Sequence, residues 1–340
     1  MTVATSNPLL EARNLAVRFH AGHGRFPVRA VDGVDIAVGK GEIVALVGES
    51  GCGKTTLART LLGLERPSEG SVVFDGEPLS YRSRDLRRYR RRVQLILQDP
   101  TGALNPRQTV YESVAEGLRI HRTVARKQRA GVDTTEAELV AEALAKAGLR
   151  PPGNFFMSYA HELSGGQRQR VVIAGALALE PELLVADEPV SSLDASIRGE
   201  ILALLLRLRD DLGLTVLVVT HDLGLAWNIA DRIAVMYLGR IVEFGTTEQV
   251  LQEPRHPYTQ ALLSVVPEIE EVEPVVLVGE PPDPSLIPSG CRFHPRCQAL
   301  AAGVAADAGV SDRCVGEPLV VLASTGAHRA ACWLCLDSGA

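Results

Sequence analysis

The stretch that most restricts this chain is Gly48-Glu49-Ser50-Gly51-Cys52-Gly53-Lys54-Thr55, which follows the apolar run Ile43–Val47 and opens the helical pattern Lys54–Leu64. It fits G-x-x-x-x-G-K-[ST] at every fixed position, between the strand and the helix that give that spacing its mechanism. Glycines let the backbone turn tightly, so that successive N–H groups point inward at phosphate oxygens. The start of the helix adds positive potential at the same spot. Lys54 is expected to neutralise β- and γ-phosphates and the Thr55 hydroxyl to ligate Mg²⁺, with Thr56 completing the loop's contacts. Cys52 is a small residue of that loop and is assigned no chemistry of its own.

Other short apolar runs repeat the pattern. Val93–Leu97, Leu183–Ala186, Val216–Thr220 and Ile233–Tyr237 read as buried strands, and Ser196–Leu212 reads as a helix between two of them. Near-continuous apolar strands alternating with helices predict an α/β fold whose sheet is mainly parallel and covered on both faces. The beginning differs: Leu10–Phe19, Val31–Val38 and Ser71–Phe74 are joined by Gly-rich turns and predict an antiparallel part. Between Asp99 and Gln169 strand signals fade, and Glu136–Gly148 has helical periodicity with a glycine stop, so this stretch reads as a helical insert.

Composition excludes several classes. The 340 residues carry 46% hydrophobic and 22% charged side chains, as an ordinary globular chain does, and at ~150 residues per domain suggest two domains or one large domain with an appendage. No apolar run approaches the ~18 residues of a membrane span. The opening MTVATSNPLL lacks the basic-then-apolar order of a secretory signal, so cytosol is the expected compartment. A net charge of −6 argues against a general nucleic-acid binder. The arginine-rich run Tyr81–Arg92 reads as a solvated face ahead of the Val93 strand, in preference to a lipid or nucleic-acid contact.

Leu183-Leu184-Val185-Ala186-Asp187-Glu188 is an apolar strand ending in two carboxylates. Asp187 suits the Mg²⁺ shell, and Glu188, one residue on, suits a general base polarising the attacking water. Further segments narrow the class. Gln98 in QDP, Leu163-Ser164-Gly165-Gly166-Gln167, VADEP, Ser192-Leu193-Asp194 and His221 in THD occur in that order across residues 9–250. The set resembles the Q-loop, signature, Walker B, D-loop and switch histidine of ATP-binding cassette (ABC) ATPases.

That resemblance implies a P-loop NTPase cassette that hydrolyses ATP with Mg²⁺. Gln98 would join the Mg²⁺ or lytic-water shell, and His221 would contact the γ-phosphate. Ser164 and the amides of Gly165 and Gly166, with Gln167, would clamp ATP held by the opposite cassette, at a second anion-binding helix start. Phe19, in NLAVRF, occupies the place where the family stacks an aromatic ring on adenine, with Phe26 as the alternative.

Pro254–Leu263 and Ser289–Cys297 (SGCRFHPRC) resemble the region after the cassette in dipeptide/oligopeptide and nickel importers, and GESGCGKTTLAR with QDPTGALNPR looks most like the second ATPase of such systems. The implied partners are a second ABC ATPase, either a homologue or another copy, two transmembrane permeases and an extracytoplasmic substrate-binding protein, with no nucleic acid. The implied place is the cytoplasmic face of the membrane, and the implied work is peptide import driven by ATP. The implied divisions are a cassette over 1–253 with a helical subdomain at about 99–170, a family-specific connection over 254–289, acidic and proline-containing from Glu268 to Ser289, and a Cys-rich extension over 290–340.

Of six cysteines, five fall between Cys291 and Cys335. In a cytosolic setting such a cluster points to metal before disulfides. Cys291, Cys297, Cys314 and Cys332 match in order the four cysteines taken to hold an iron–sulfur cluster in relatives, with His328 ahead of the last. Four thiolates suit either [4Fe–4S] or Zn²⁺. The gap from Cys297 to Cys314 is longer than the family's, and Cys335 is a further candidate ligand. Two other readings remain: a soluble ABC ATPase acting on nucleic acid or ribosomes through a zinc-type tail, and the less active partner of a heterodimer.

Overall fold

Ile43–Val47 forms strand β3 with all five residues buried. A strand without a polar face can sit only where both sides are covered, and the glycine loop at its end is thereby anchored. The computed structural model describes residues 8–20, 26–191, 193–266, 275, 277–319 and 328–336. It divides into two compact units, one of Met1–Gly39, Ile43–Leu79 and Val219–Ala340, the other of Lys40–Glu42 and Ser80–Val218.

In the first unit β1 (Leu10–Phe19) and β2 (Val28–Val38) precede β3, and α1 (Lys54–Leu61), β4 (Glu69–Phe74) and β5 (Glu77–Pro78) follow it. Strands β2-β1-β4-β5 make the antiparallel sheet that the Gly-rich turns predict. Helix α1 stops three residues short of Leu64 because Gly63 takes a left-handed φ of 64° and ends it.

The second unit opens with α2 (Ser83–Arg92), which turns the arginine run into a helix whose buried residue is Tyr89. Strand β6 (Val93–Ile96) follows, and it pairs in parallel with β7 (Leu183–Asp187). Between them lie α3 (Pro100–Ala103), α4 (Val110–Ile120), α5 (Thr123–Arg129), α6 (Glu136–Lys146) and α7 (Gly165–Leu177). Thr109 and Thr135 close capping boxes with Glu112 and Glu138, which fixes where α4 and α6 begin. Helix α8 (Ala195–Leu212) ends at Gly213, φ 63°, before β8 (Thr215–Thr220).

The chain returns to the first unit within β8. There α9 (Leu223–Ile229), β9 (Arg232–Tyr237), β10 (Arg240–Thr246), α10 (Thr247–Gln252) and α11 (Pro257–Leu263) succeed one another. Strand β9 runs parallel to β3 and antiparallel to β10, so the sheet is mixed. The tail carries α12 (Gln298–Ala301), α13 (Val304–Asp307), α14 (Ser311–Gly316), β11 (Arg329–Ala330) and α15 (Trp333–Leu336). Strand β11 adds to the edge of β10, a pairing the sequence pattern does not announce.

The tail joins the first unit's core through Phe293, which is buried against Tyr237, Tyr258 and His256. Burying one such ring contributes about 1.5–3 kcal/mol, and its edge-on contact with Tyr237, 5.2 Å between centroids, adds to that. A smaller cluster of Ala305, Val310, Cys314, Leu319, Ala331 and Trp333 holds the tail's short helices together, with Arg313 stacked 3.8 Å above the Trp333 ring. Among the described residues no helix is long and apolar enough to cross a membrane.

Candidate functional site

The glycine loop depends on glycine at its two ends. Gly48 has φ 153° and Gly53 φ 110°. A Cβ on Gly48 would lie 2.2 Å from the Met236 carbonyl oxygen, and one on Gly53 would lie 2.1 Å from that of Ala30. Only a residue without a side chain fits against those backbones. Helix α1 starts at Gly53 with no side-chain cap and no acidic residue in its first turn. Its leading amides and dipole are thus left for an anion.

Lys54 is buried, and its Nζ donates to the carbonyls of Gly48 (2.7 Å) and Glu49 (2.9 Å). Ser50 and Thr55 are exposed and Thr56 half-buried. Burial holds Cys52 as a thiol, with its titration raised, so it supplies no charge to the loop. Glu49 is held at each polar group. Its N–H donates to Tyr258 Oη at 2.9 Å, and its carboxylate receives both terminal nitrogens of Arg296, at 2.7 and 3.0 Å.

Phe19 ends β1 and is 41% exposed, which removes a core role for it; Phe26 is 53% exposed. His221 is exposed one residue past β8. The Thr220 hydroxyl accepts the Asp222 N–H, and Asp222 then caps α9, so the histidine sits on a fixed corner.

In the second unit Gln98 is exposed just past β6, where Asp99 caps α3 through the Thr101 N–H. Asp187 closes the buried strand β7, and Glu188 beyond it takes φ 49°. A glutamate in that left-handed region costs on the order of 1 kcal/mol and persists only where its surroundings demand it. Ser191 donates to the Glu188 carbonyl from both its N–H (3.3 Å) and its hydroxyl (3.2 Å). Leu193 is buried and Asp194 starts α8; Ser192 lies outside the described residues.

Ser164 and Gln167 hold each other at the start of α7. The serine hydroxyl accepts the Gln167 N–H at 3.2 Å, while the glutamine oxygen accepts the Ser164 N–H at 2.9 Å. This is a capping box, whose S-x-x-Q spacing is visible in the sequence although the resemblance alone does not reveal it. Gly166 is required by packing, since a Cβ there would meet Ile197 Cγ2 at 2.7 Å. The P-loop, Phe19 and His221 belong to the first unit; Gln98, the signature box, Asp187 and Glu188 belong to the second.

Cys291, Cys297, Cys314 and Cys332 line one pocket with His256, Phe293 and Trp333. Burial pushes the Cys291 thiol up to about 12, and the neighbouring cysteines add to the rise. Cys297 and Cys314 are raised by burial, and Cys332 chiefly by its contact with Cys335. Cys335 is outside this lining, and its Sγ donates to the Arg255 carbonyl. The buried Glu243 carboxylate takes His328, at 2.6 Å, along with the N–H groups of Arg255 and His256. Among the described residues no three of His, Cys, Asp or Glu are grouped closely enough to hold a single metal ion.

A glycine loop between a parallel strand and a helix, a carboxylate pair closing another strand and a capped helix start are the features that carry the resemblance to ATP-binding cassette ATPases. Residues 31–191 match the ABC transporter family model, and residues 242–302 match the C-terminal region of oligopeptide/dipeptide transporters. The chain belongs to the ABC transporter ATP-binding proteins, in the oligopeptide/dipeptide branch. It is 42% identical to the oligopeptide transport ATP-binding protein AppF of Bacillus subtilis (strain 168), over 87% of this chain and 91% of that one. It is 41% identical to the dipeptide transport ATP-binding protein DppF of Haemophilus influenzae, over 87% and 90%. Among solved structures, cbiO1 of Clostridium perfringens, part of an ABC transporter complex, superposes with a TM-score of 0.61 at 29% identity, covering 73% of this chain and 92% of that one. The cassette MJ0796, solved as a dimer with ADP and phosphate, gives 0.60 at 28%, covering 70% and 98%. ATP binding and hydrolysis follow from the family. These relatives do not favour a nucleic-acid or ribosomal role.

Proposed function

We propose that this chain powers the import of small peptides through partner permeases, by ATP-driven closure of two cassettes followed by hydrolysis. The observation that carries the reading is the glycine loop closed by buried Lys54 in a chain whose relatives are named for oligopeptide and dipeptide transport. Its partners are two transmembrane permeases, a second ABC ATPase and an extracytoplasmic binding protein, and it works at the cytoplasmic face of the membrane. The cassette covers 1–253 with its helical subdomain at about 99–170, and 254–289 connects it to a Cys-rich extension over 290–340.

The roles follow from chemistry. Gly48 to Thr56 cradle the triphosphate, and Lys54 balances its charge once it leaves the carbonyls of Gly48 and Glu49. The exposed ring of Phe19 stacks on adenine. Thr55, Gln98 and Asp187 are the residues that would hold Mg²⁺, which when bound would supply Lewis-acid stabilisation of the phosphate charge. Glu188 takes a proton from water as the oxygen attacks the γ-phosphorus and the bond to the bridging oxygen breaks, giving ADP and phosphate. His221 steadies the γ-phosphate. Ser164, Gly165, Gly166 and Gln167 offer a rigid helix start to the partner's ATP.

Cys291, Cys297, Cys314 and Cys332 are the residues that would hold a [4Fe–4S] cluster, whose part is structural. Support comes from the one pocket that these four cysteines line together. One tetrahedral zinc would require sulfurs about 3.8 Å apart. Anoxically purified protein should carry about four irons with acid-labile sulfide, and Cys297→Ser should lose them; zinc in their place would overturn the assignment.

Gentle solubilisation of membranes with anoxic affinity purification tests the whole reading. Recovery with two permeases and a related ATPase supports it. Recovery only as a soluble species, or with ribosomal or DNA-bound partners, contradicts it.

A further inference from the structure

Arg296 stands 247 residues from Glu49 in sequence, yet its side chain is 5% exposed and joined to that glutamate by two parallel bonds. It is positioned from several sides. The short turn His294–Arg296 places it, its N–H donates to the Phe293 carbonyl, and Phe293 is locked among Tyr237 and Tyr258. Four residues earlier Arg292, also buried, pairs with Asp32 and donates to the Leu238 carbonyl. Within the first unit, the segment between Cys291 and Cys297 is thus clamped at two arginines to Glu49 of the loop after β3, and to Asp32 of β2 and the Leu238 carbonyl. Tyr258, from helix α11 just after the cassette, takes the Glu49 N–H.

From this geometry we infer that the Cys-rich extension is part of the nucleotide site, with Arg296 acting as a positioning residue that neutralises Glu49 and fixes the phosphate loop. The inference rests on the ATPase reading above. A carboxylate inside a loop that receives a polyphosphate works against binding unless its charge is balanced. A planar guanidinium with two parallel bonds balances it and sets its direction together. Lys54 holds the Glu49 carbonyl, and in the proposed function it is the group that moves to the phosphates. Arg296 on its carboxylate, Tyr258 on its N–H and the Cys52 N–H on its carbonyl then still hold Glu49, so the loop keeps its shape as nucleotide enters. The ligand concerned is MgATP, and the regulator is the folded state of the tail.

The test is a double-mutant cycle on the full chain purified anoxically, reading MgATP affinity by equilibrium titration together with KM and kcat. Arg296→Gln is expected to weaken MgATP binding and raise KM about tenfold, because Glu49 is left unbalanced, with kcat at saturating ATP unchanged. In a Glu49→Gln background the same substitution should change affinity less than about twofold. Arg296→Lys should recover part of the loss, as a point charge without the paired geometry. An unchanged affinity in Arg296→Gln overturns the inference. So does an equal loss in both backgrounds, which would mean that Arg296 acts only by holding the tail together. A wild-type chain that binds no MgATP overturns the ATPase reading itself, a result distinct from either of these.

Discussion

Lys54 Nζ donates to the carbonyl oxygen of Gly48 at 2.7 Å, so the loop's one cation closes the ring of backbone around it. In the proposed function the same ammonium serves two partners in turn, first the loop's own carbonyls and then the phosphates. Lys54→Ala removes both. MgATP affinity should fall on the order of hundredfold, the loss expected for a buried charge-assisted partner. Calorimetric titration of the purified chain checks it; an unaltered affinity would mean that nucleotide binds elsewhere.

Glycines of the loop are not equivalent. A Cβ on Gly48 meets the Met236 oxygen at 2.2 Å, while one on Gly51 meets nothing within 4 Å. Gly51 carries only the strain of its φ of 79°, about 1 kcal/mol. Gly48→Ala must shift backbone, which costs about 3 kcal/mol or more. Thermal unfolding should therefore show a much larger fall in Tm for Gly48→Ala than for Gly51→Ala. Equal shifts would contradict the close approach to β9.

His121 sits at a basin lined by Arg84, Arg87, Arg88, Arg91 and Arg126. Burial, and then the charges of Arg87, Arg91 and Arg126, lower its titration below 6.5. The folded chain therefore resists protonating it. As pH falls below 6.5 the unfolded chain takes up the proton first, so the stability that a neutral His121 contributes is present above 6.5 and is lost toward the lower folded midpoint. NMR titration should place that midpoint under 6.5, moving upward in Arg91→Gln. A midpoint above 6.5 would contradict the basin.

Much of the local structure of the candidate site is legible in the sequence because its parts are local. A short β-branched apolar run such as Ile43–Val47, bounded by a glycine loop, reads as a buried strand, and a glycine loop ahead of a helix has one economical shape. The cap at Ser164 and Gln167 is equally local. The left-handed Glu188 is not, since its φ is imposed by tertiary surroundings and leaves no trace in residue type. Arg296 with Glu49, and β11 against β10, were beyond reach for a related reason. Contacts across 247 residues, or two-residue strands, carry no periodicity to read. The tail's cysteines show their donor type in sequence, but only the folded chain gathers four of them at one pocket and leaves Cys335 outside its lining.

Glu188 is the residue through which the central claim is tested most directly. In cells lacking the native copy, uptake of a labelled small peptide would be compared between the wild-type chain and Glu188→Gln, with MgATP affinity measured on both purified proteins. The account predicts that the variant binds MgATP as the wild type does, while turnover falls by about 10²–10⁴ and uptake drops to background. Uptake at the wild-type rate from a chain carrying Glu188→Gln would contradict both the base assignment and the coupling of hydrolysis to import.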